Sequence, residues 1–253
     1  MVAKVIFLMS DYGHDPTETA VPFTHFKEAG FEITFATEKG ESPKCDSRML
    51  EGITQVLLGA TKSVVSQYND MIASPEWASP LSWMTPTLDL SAYDLVFLPG
   101  GHDKGVTQVI DSARVHELIA AYFPLTTRAS ENKKAIGAVC HGVMVLSETC
   151  RADGKSVLNG AITTALPTRF EQLAFWGTRA FLGDYYKTYG ACSENVEEAV
   201  TKKLAQPSDF KNSLKPAPFV VEDPTFNYIS ARFPGDVQLM SEKLVALTKS
   251  LTS

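Results

Sequence analysis

Residues 135–144 read Ala135-Ile136-Gly137-Ala138-Val139-Cys140-His141-Gly142-Val143-Met144. An apolar run suited to a buried parallel strand passes into a helical pattern with almost no connection between them. The residue at such a corner must take a strained backbone conformation, with small neighbours on both sides; Ala138 stands two before Cys140 and Gly142 two after. This is the logic of the nucleophile elbow, with cysteine in place of serine. An elbow lifts its side chain over the C-terminal edge of the sheet, where open α/β sheets bind ligands. It also sets the sulfur at a helix N-terminus, whose partial positive charge favours thiolate. The ordinary alternative is a small buried core cysteine.

Outward from the elbow, strand and helix patterns alternate. Val5 to Leu8 is a compact apolar run, and Asp15-Pro16-Thr17-Glu18 is a helix start with an N-cap, a proline at the first helical position and a glutamate three after the cap. Gly30 ends that helix, and Phe31 to Ala36 alternates as a second strand. A helical pattern runs from Arg48 to about Ile72. Residues 74–86 hold Pro75, Trp77, Pro80, Trp83 and Pro86 and are expected as a long, aromatic-anchored loop. Asp94 to Leu98 is a further buried strand, closed by Pro99-Gly100-Gly101 and followed by a helix from Val106 to Tyr122. After the elbow helix come a short strand at 161–165, a helix from Thr168 to about Phe181, a late strand at 219–221 and a closing helix from Val237 to Leu251. With no repeat or linker, this is an α/β doubly wound, mostly parallel sheet with helices on both faces, a single domain over 1–253 with an inserted helical and loop lid at 40–92.

Three other places could join Cys140. His141 is adjacent and could orient a thiolate or move protons, although consecutive side chains often diverge. Glu18 starts its helix on the same rim of the sheet; a desolvated carboxyl there could donate to the sulfur, while a plain capping role is the reading the motif alone favours. Gly100 and Gly101 could offer backbone N–H groups as an oxyanion site, with His102 beside them, or simply end a strand. Glu171 is a candidate third member orienting His141, or a solvated first-turn glutamate. The aromatic runs Tyr185-Tyr186-Lys187-Thr188-Tyr189 and Phe175-Trp176 could line a pocket or pack internally. No metal is expected at Asp11, His14 and Asp15, because Pro16 breaks helical ligand spacing. Cys45, Cys150 and Cys192 lack any elbow context.

Composition excludes several classes. Of 253 residues, 44% are hydrophobic and 21% charged, with 23 basic against 29 acidic side chains and a formal charge of −6. The basic residues are scattered, so neither nucleic acid nor a membrane surface is an expected partner. The four cysteines show no CxxC spacing, which removes zinc-ribbon and thioredoxin readings and does not suggest a disulfide scaffold. The apolar run at 5–9 is too short for a signal segment, and nothing approaches the roughly 18 apolar residues of a membrane span. A cytoplasmic location is expected, the nucleus also being open to the protein.

Glu18 in the first helix, the strand-Pro99-Gly100-Gly101-His102 turn and Ala138-Val139-Cys140-His141-Gly142, in this order, resemble the ThiJ/PfpI superfamily, the class I glutamine-amidotransferase-like group of flavodoxin-like fold. The long 40–92 insertion is similar to the branch of heat-shock-type chaperones and glutathione-independent glyoxalases (glyoxalase III). That resemblance implies a cofactor-independent lyase, in which Cys140 adds to methylglyoxal-like 2-oxoaldehydes and yields 2-hydroxy acids, with Glu171 completing a Cys-His-acid set, and a homodimer. A non-catalytic stress chaperone or cysteine redox sensor is the alternative. The sequence departs from the branch at Asp103-Lys104, which separates His102 from Gly105, and across 164–189.

Overall fold

The computed structural model describes residues 2–50, 59–131 and 133–253. Its frame is a sheet of seven strands. Taken with a separate two-stranded pair, the strands in chain order are β1 (Lys4–Leu8), β2 (Tyr12–His14), β3 (Glu32–Thr37), β4 (Lys44–Cys45), β5 (Leu81–Ser82), β6 (Leu95–Leu98), β7 (Ala135–Val139), β8 (Val220–Glu222) and β9 (Tyr228–Ala231). The large sheet runs β5-β3-β1-β6-β7-β9-β8; β2 and β4 form the small pair. Every neighbour in the large sheet is parallel except β8, which runs antiparallel to β9 at the edge.

The apolar runs of β1, β6 and β7 are uninterrupted because both faces of the sheet are covered. On one face Ile6, Leu8, Val96, Leu98, Ile136 and Ala138 pack in one core cluster. Their alternates Val5, Phe7, Leu95, Phe97, Ala135 and Val139 join a second cluster on the other face. The described helices longer than one turn are α1 (Pro16–Glu28), α2 (Lys62–Ile72), α3 (Ala113–Tyr122), α4 (Gly142–Glu148), α5 (Thr168–Leu182), α6 (Val196–Thr201) and α7 (Val237–Thr252). The first cluster takes in α3 and α4; the second takes in α1, α2 and α7. Phe7 sits at the centre of the second, its ring 5.0 Å from Phe35 and Phe97 and 5.8 Å from Phe26. Burying a side chain of this size stabilises the fold by roughly 1.5–3 kcal/mol.

The start of α1 matches the local chemistry. The Asp15 carboxylate accepts from the N–H groups of Thr17 and Glu18, Pro16 occupies the first turn, and Gly30 follows the helix at φ +80°. Elsewhere tertiary structure overrides pattern. The helix expected from Val106 to Tyr122 is broken after Ile110, because Ser112 caps a new helix through Val115 N–H. Residues 161–165 form no strand; Thr163 makes one isolated bridge to Phe210, and the sheet position beside β7 belongs to β9. Part of the helical pattern expected from Arg48 lies at 51–58, outside the described residues; the described helix starts after its cap, Thr61.

The 40–92 segment packs at several places. Lys44–Cys45 pairs with β2, α2 lies against α1, and Leu81–Ser82 extends the sheet beyond β3. The stretch 74–86, expected as a loop, folds in part: Ser74 caps a short helix, Pro75–Ala78, ahead of the Leu81–Ser82 strand. Trp77 is buried in the cluster on one face and Trp83 in that on the other, so its aromatic anchors straddle the sheet edge. Among the described residues no helix is long and apolar enough to cross a membrane.

Candidate active site

The chain leaves β1 towards β3 on one side and later returns to β6 on the other, so the sheet's switch point lies between β1 and β6. Gly100 and Gly101 follow β6, Cys140 follows the neighbouring β7, and Glu18 lies in the first turn of α1 beyond β1. The geometry brings these residues together. Cys140 stands at the corner with φ +55°, a left-handed conformation rarely taken by a residue with a side chain. It is held there by its own N–H, which donates to the Ala231 carbonyl at 3.1 Å. Gly100 has no room for a side chain: a Cβ would lie 2.7 Å from the Val139 carbonyl oxygen and 2.8 Å from both Glu18 Oε2 and His141 N.

Glu18 does not close a capping box. Its Oε2 reaches across the crevice and accepts from the Gly100 N–H at 3.0 Å, while Asp15 N–H donates to the Gly100 carbonyl at 2.9 Å. The other carboxyl oxygen, Oε1, is buried and makes no conventional hydrogen bond among the described residues, and the carboxyl's remaining interaction is with the Cys140 side chain. Burial, then the charge of Asp15, pushes the Glu18 pKa well above the usual carboxylate range. Burial, then Glu18, likewise pushes the Cys140 thiol well up. At neutral pH Cys140 therefore rests as the thiol, and Glu18 holds its proton to higher pH than a free carboxyl does. The thiolate expected from the helix N-terminus is not the resting form, because desolvation in a site where Cys140 is only 5% exposed dominates.

His141 turns towards its neighbour: Nδ1 is 3.4 Å from Cys140 Sγ. Burial lowers its pKa to about 3, with His102 and Lys187 adding to the effect, so the ring is neutral. On its far side Nε2 lies 2.9 Å from the hydroxyl of Thr188, which also donates to the His102 carbonyl at 2.8 Å. Glu171 is elsewhere. Its Oε1 is 3.1 Å from Lys187 Nζ, and its Oε2 accepts from the Val196 N–H at 2.8 Å. The acid expected to orient His141 thus serves as counter-ion to a buried lysine, and a threonine occupies the position beside the imidazole.

The two glycines differ in availability. The Gly100 N–H is committed to Glu18, whereas the Gly101 N–H has no acceptor among the described residues. Of the expected oxyanion pair, one donor is open. The His102 ring is wedged between Tyr185 and Tyr186, with centroids 4.8 and 4.4 Å away. Its Nε2 is 3.7 Å from Asp46 Oδ2 and makes no hydrogen bond among the described residues, and burial lowers its pKa to about 4.

A family model described as ThiJ/PfpI family-like matches residues 9–212. The chain belongs to the ThiJ/PfpI family. It is 27% identical over 248 residues to an uncharacterised Schizosaccharomyces pombe protein, covering 98% of this chain and 84% of that one. It is 30% identical over 135 residues to the protein/nucleic acid deglycase HchA of Pseudomonas aeruginosa, covering 53% of this chain and 42% of that protein. Among solved structures, glyoxalase III from Candida albicans superposes with a TM-score of 0.69 at 16% identity, covering 97% of each chain. DJ-1 of Schizosaccharomyces pombe superposes at 0.52 and 16%, covering 99% of this chain and 97% of that one.

Two parts of this ThiJ/PfpI site escape sequence reasoning. Thr188 sits in an aromatic run that marks its segment as pocket-lining without singling out a hydroxyl. Asp46 shows no pattern at all, yet its carboxylate accepts from the Tyr185 hydroxyl, and the guanidinium of Arg48 lies 4.7 Å from the Tyr185 ring centroid. These residues join the 44–50 and 183–190 segments beside His102.

Proposed function

We propose that the protein is a glutathione-independent glyoxalase III-type lyase converting methylglyoxal-like 2-oxoaldehydes into 2-hydroxy acids. The observation that carries this reading is the trio of Cys140, neutral His141 against its sulfur, and buried Glu18, whose carboxyl meets the Cys140 side chain and holds its proton to unusually high pH. Such a set can move protons between adjacent carbons without a cofactor. The likeness to Candida albicans glyoxalase III and to HchA deglycases supports the same carbonyl chemistry.

In the proposed sequence the sulfur adds to the aldehyde carbon as its proton passes to His141 Nδ1 and on to the aldehyde oxygen, giving a hemithioacetal. Transfer in step with attack avoids an isolated thiolate in a dry site. His141 then removes the C1 hydrogen as Glu18 gives its proton to the C2 oxygen, forming an enediol. Imidazolium returns a proton to C2, and the Glu18 carboxylate takes the proton from the C1 oxygen, leaving a thioester. Water cleaves that thioester, releasing the 2-hydroxy acid and restoring the thiol; the free Gly101 N–H supports the oxyanion of this step.

The near-complete burial of Cys140 favours a small electrophile over a glycated protein or nucleic acid. It also weighs against a redox sensor, since a thiol held protonated is a poor target for peroxide. The test is methylglyoxal consumption with lactate formation in the absence of glutathione, beside Cys140→Ala. Turnover falling to background in the variant is expected. Full turnover by Cys140→Ala would overturn the mechanism.

A further inference from the structure

We infer that Thr188 fixes the tautomer of His141, holding the proton on Nε2 so that Nδ1 presents its lone pair to Cys140. This makes Thr188 a positioning residue, and it rests on the reading of Cys140 as nucleophile and His141 as its base.

The assignment follows from counting hydrogens. A threonine hydroxyl has one proton to give and lone pairs to receive. Thr188 Oγ1 is 2.8 Å from the His102 carbonyl oxygen, which can only accept, and 2.9 Å from His141 Nε2. The hydroxyl proton goes to the carbonyl, so Thr188 accepts from Nε2–H. Nδ1, 3.4 Å from Sγ, is then unprotonated and receives the thiol proton. The opposite tautomer leaves the His102 carbonyl without this donor.

The resulting relay runs in one direction, from S–H to Nδ1 and from Nε2–H to Oγ1–H and the carbonyl, and bonds aligned in this way reinforce one another. When His141 takes the thiol proton, Thr188 already faces the imidazolium N–H.

The hydroxyl is itself anchored. The neighbouring residue, Lys187, is buried, its ammonium bonded to Asn195 Oδ1 at 2.6 Å, to the Ser193 carbonyl at 3.3 Å and paired with Glu171 at 3.1 Å. Glu171 thus reaches the imidazole at second hand, by holding the segment that carries Thr188.

Nitrogen-15 NMR of histidine-labelled protein at neutral pH tests the assignment directly. The expected spectrum gives His141 a pyrrole-like Nε2 and a pyridine-like Nδ1. Thr188→Val is expected to mix or reverse these shifts and lower kcat about tenfold, the loss of one good hydrogen bond, with KM within about twofold; Thr188→Ser is expected to restore both. A pyridine-like Nε2 in the wild-type protein overturns the inference, as does a Thr188→Val spectrum with the wild-type tautomer. Should Thr188→Val not fold, the wild-type spectrum alone decides. The Nε2–H tautomer in a protein that turns over no 2-oxoaldehyde supports the inference and overturns the proposed substrate; the Nδ1–H tautomer in an active enzyme does the reverse.

Discussion

Glu18 raises the pKa of Cys140, whereas the Cys140 side chain lowers that of Glu18 against the larger effects of burial and Asp15, and this sets opposite expectations for reactivity and for turnover. Replacing Glu18 by glutamine removes the second-ranked cause of the raised thiol pKa while keeping an oxygen for the Gly100 N–H. Alkylation of Cys140 by iodoacetamide at pH 9 should therefore be faster in Glu18→Gln than in the wild type. Turnover should fall by about 10²–10⁴, the usual worth of a positioned acid or base. Slower alkylation in the variant would contradict the electrostatic coupling. Legibility at this scale was uneven. The cysteine announced itself through a backbone corner that only small neighbours permit, whereas the histidine was marked only by adjacency and the two glycines, after another strand, gave a weak signal. Glu18 stood out by position, but only tertiary structure separates a cap from a carboxyl reaching Gly100. Thr188 and Asp46 carry no local signature, since what matters in them is one oxygen brought in from a distant segment.

Between elements, the α5 residue Glu171 and the segment before α6 are tied by an ion pair with little access to water. Glu171→Gln would leave the Lys187 ammonium buried without its counter-charge, and loss of about 3–5 kcal/mol in urea unfolding is expected. A loss below about 1 kcal/mol would show that Lys187 finds water or other partners instead. The elements themselves were mostly readable. β1, β3, β6 and β7 are continuous or alternating apolar runs bounded by turn residues, and the α1 cap is explicit in Asp15-Pro16. β9 is four residues between turns, and it completes the sheet where the 161–165 stretch was expected. A short buried strand is recognised by its neighbours more than by its own composition.

Across the whole molecule, the site's cost appears as pH dependence. Asp15 caps α1 in a buried place, and burial raises its pKa from 3.8 to about 6. An acid whose pKa is raised by folding holds its proton longer in the native state. Its contribution is therefore lost as pH rises from about 4 to about 6 and stays lost above. Asp15→Asn keeps a good N-cap and cannot ionise. Its stability relative to the wild type should grow across that window by about 3 kcal/mol at most and be flat beyond it. Denaturant unfolding of both proteins at pH 4, 5, 6 and 7 measures the difference. A difference independent of pH would mean that Asp15 titrates normally. The doubly wound plan was legible from alternation alone, because strand-helix-strand with short connections leaves few topologies. The weaving of the 40–92 segment was not, since two tryptophans on opposite faces of a sheet edge look, in sequence, like one loop.

Tyr185 and Asp46 are 139 residues apart in the chain, yet they share a hydrogen bond beside His102. The rim of the crevice is thus assembled from two stretches that genetic recombination would shuffle separately. A chimera importing only one would bring a tyrosine hydroxyl without its acceptor, or a buried carboxylate without its donor. Exchange of this rim between relatives succeeds only when both stretches travel together.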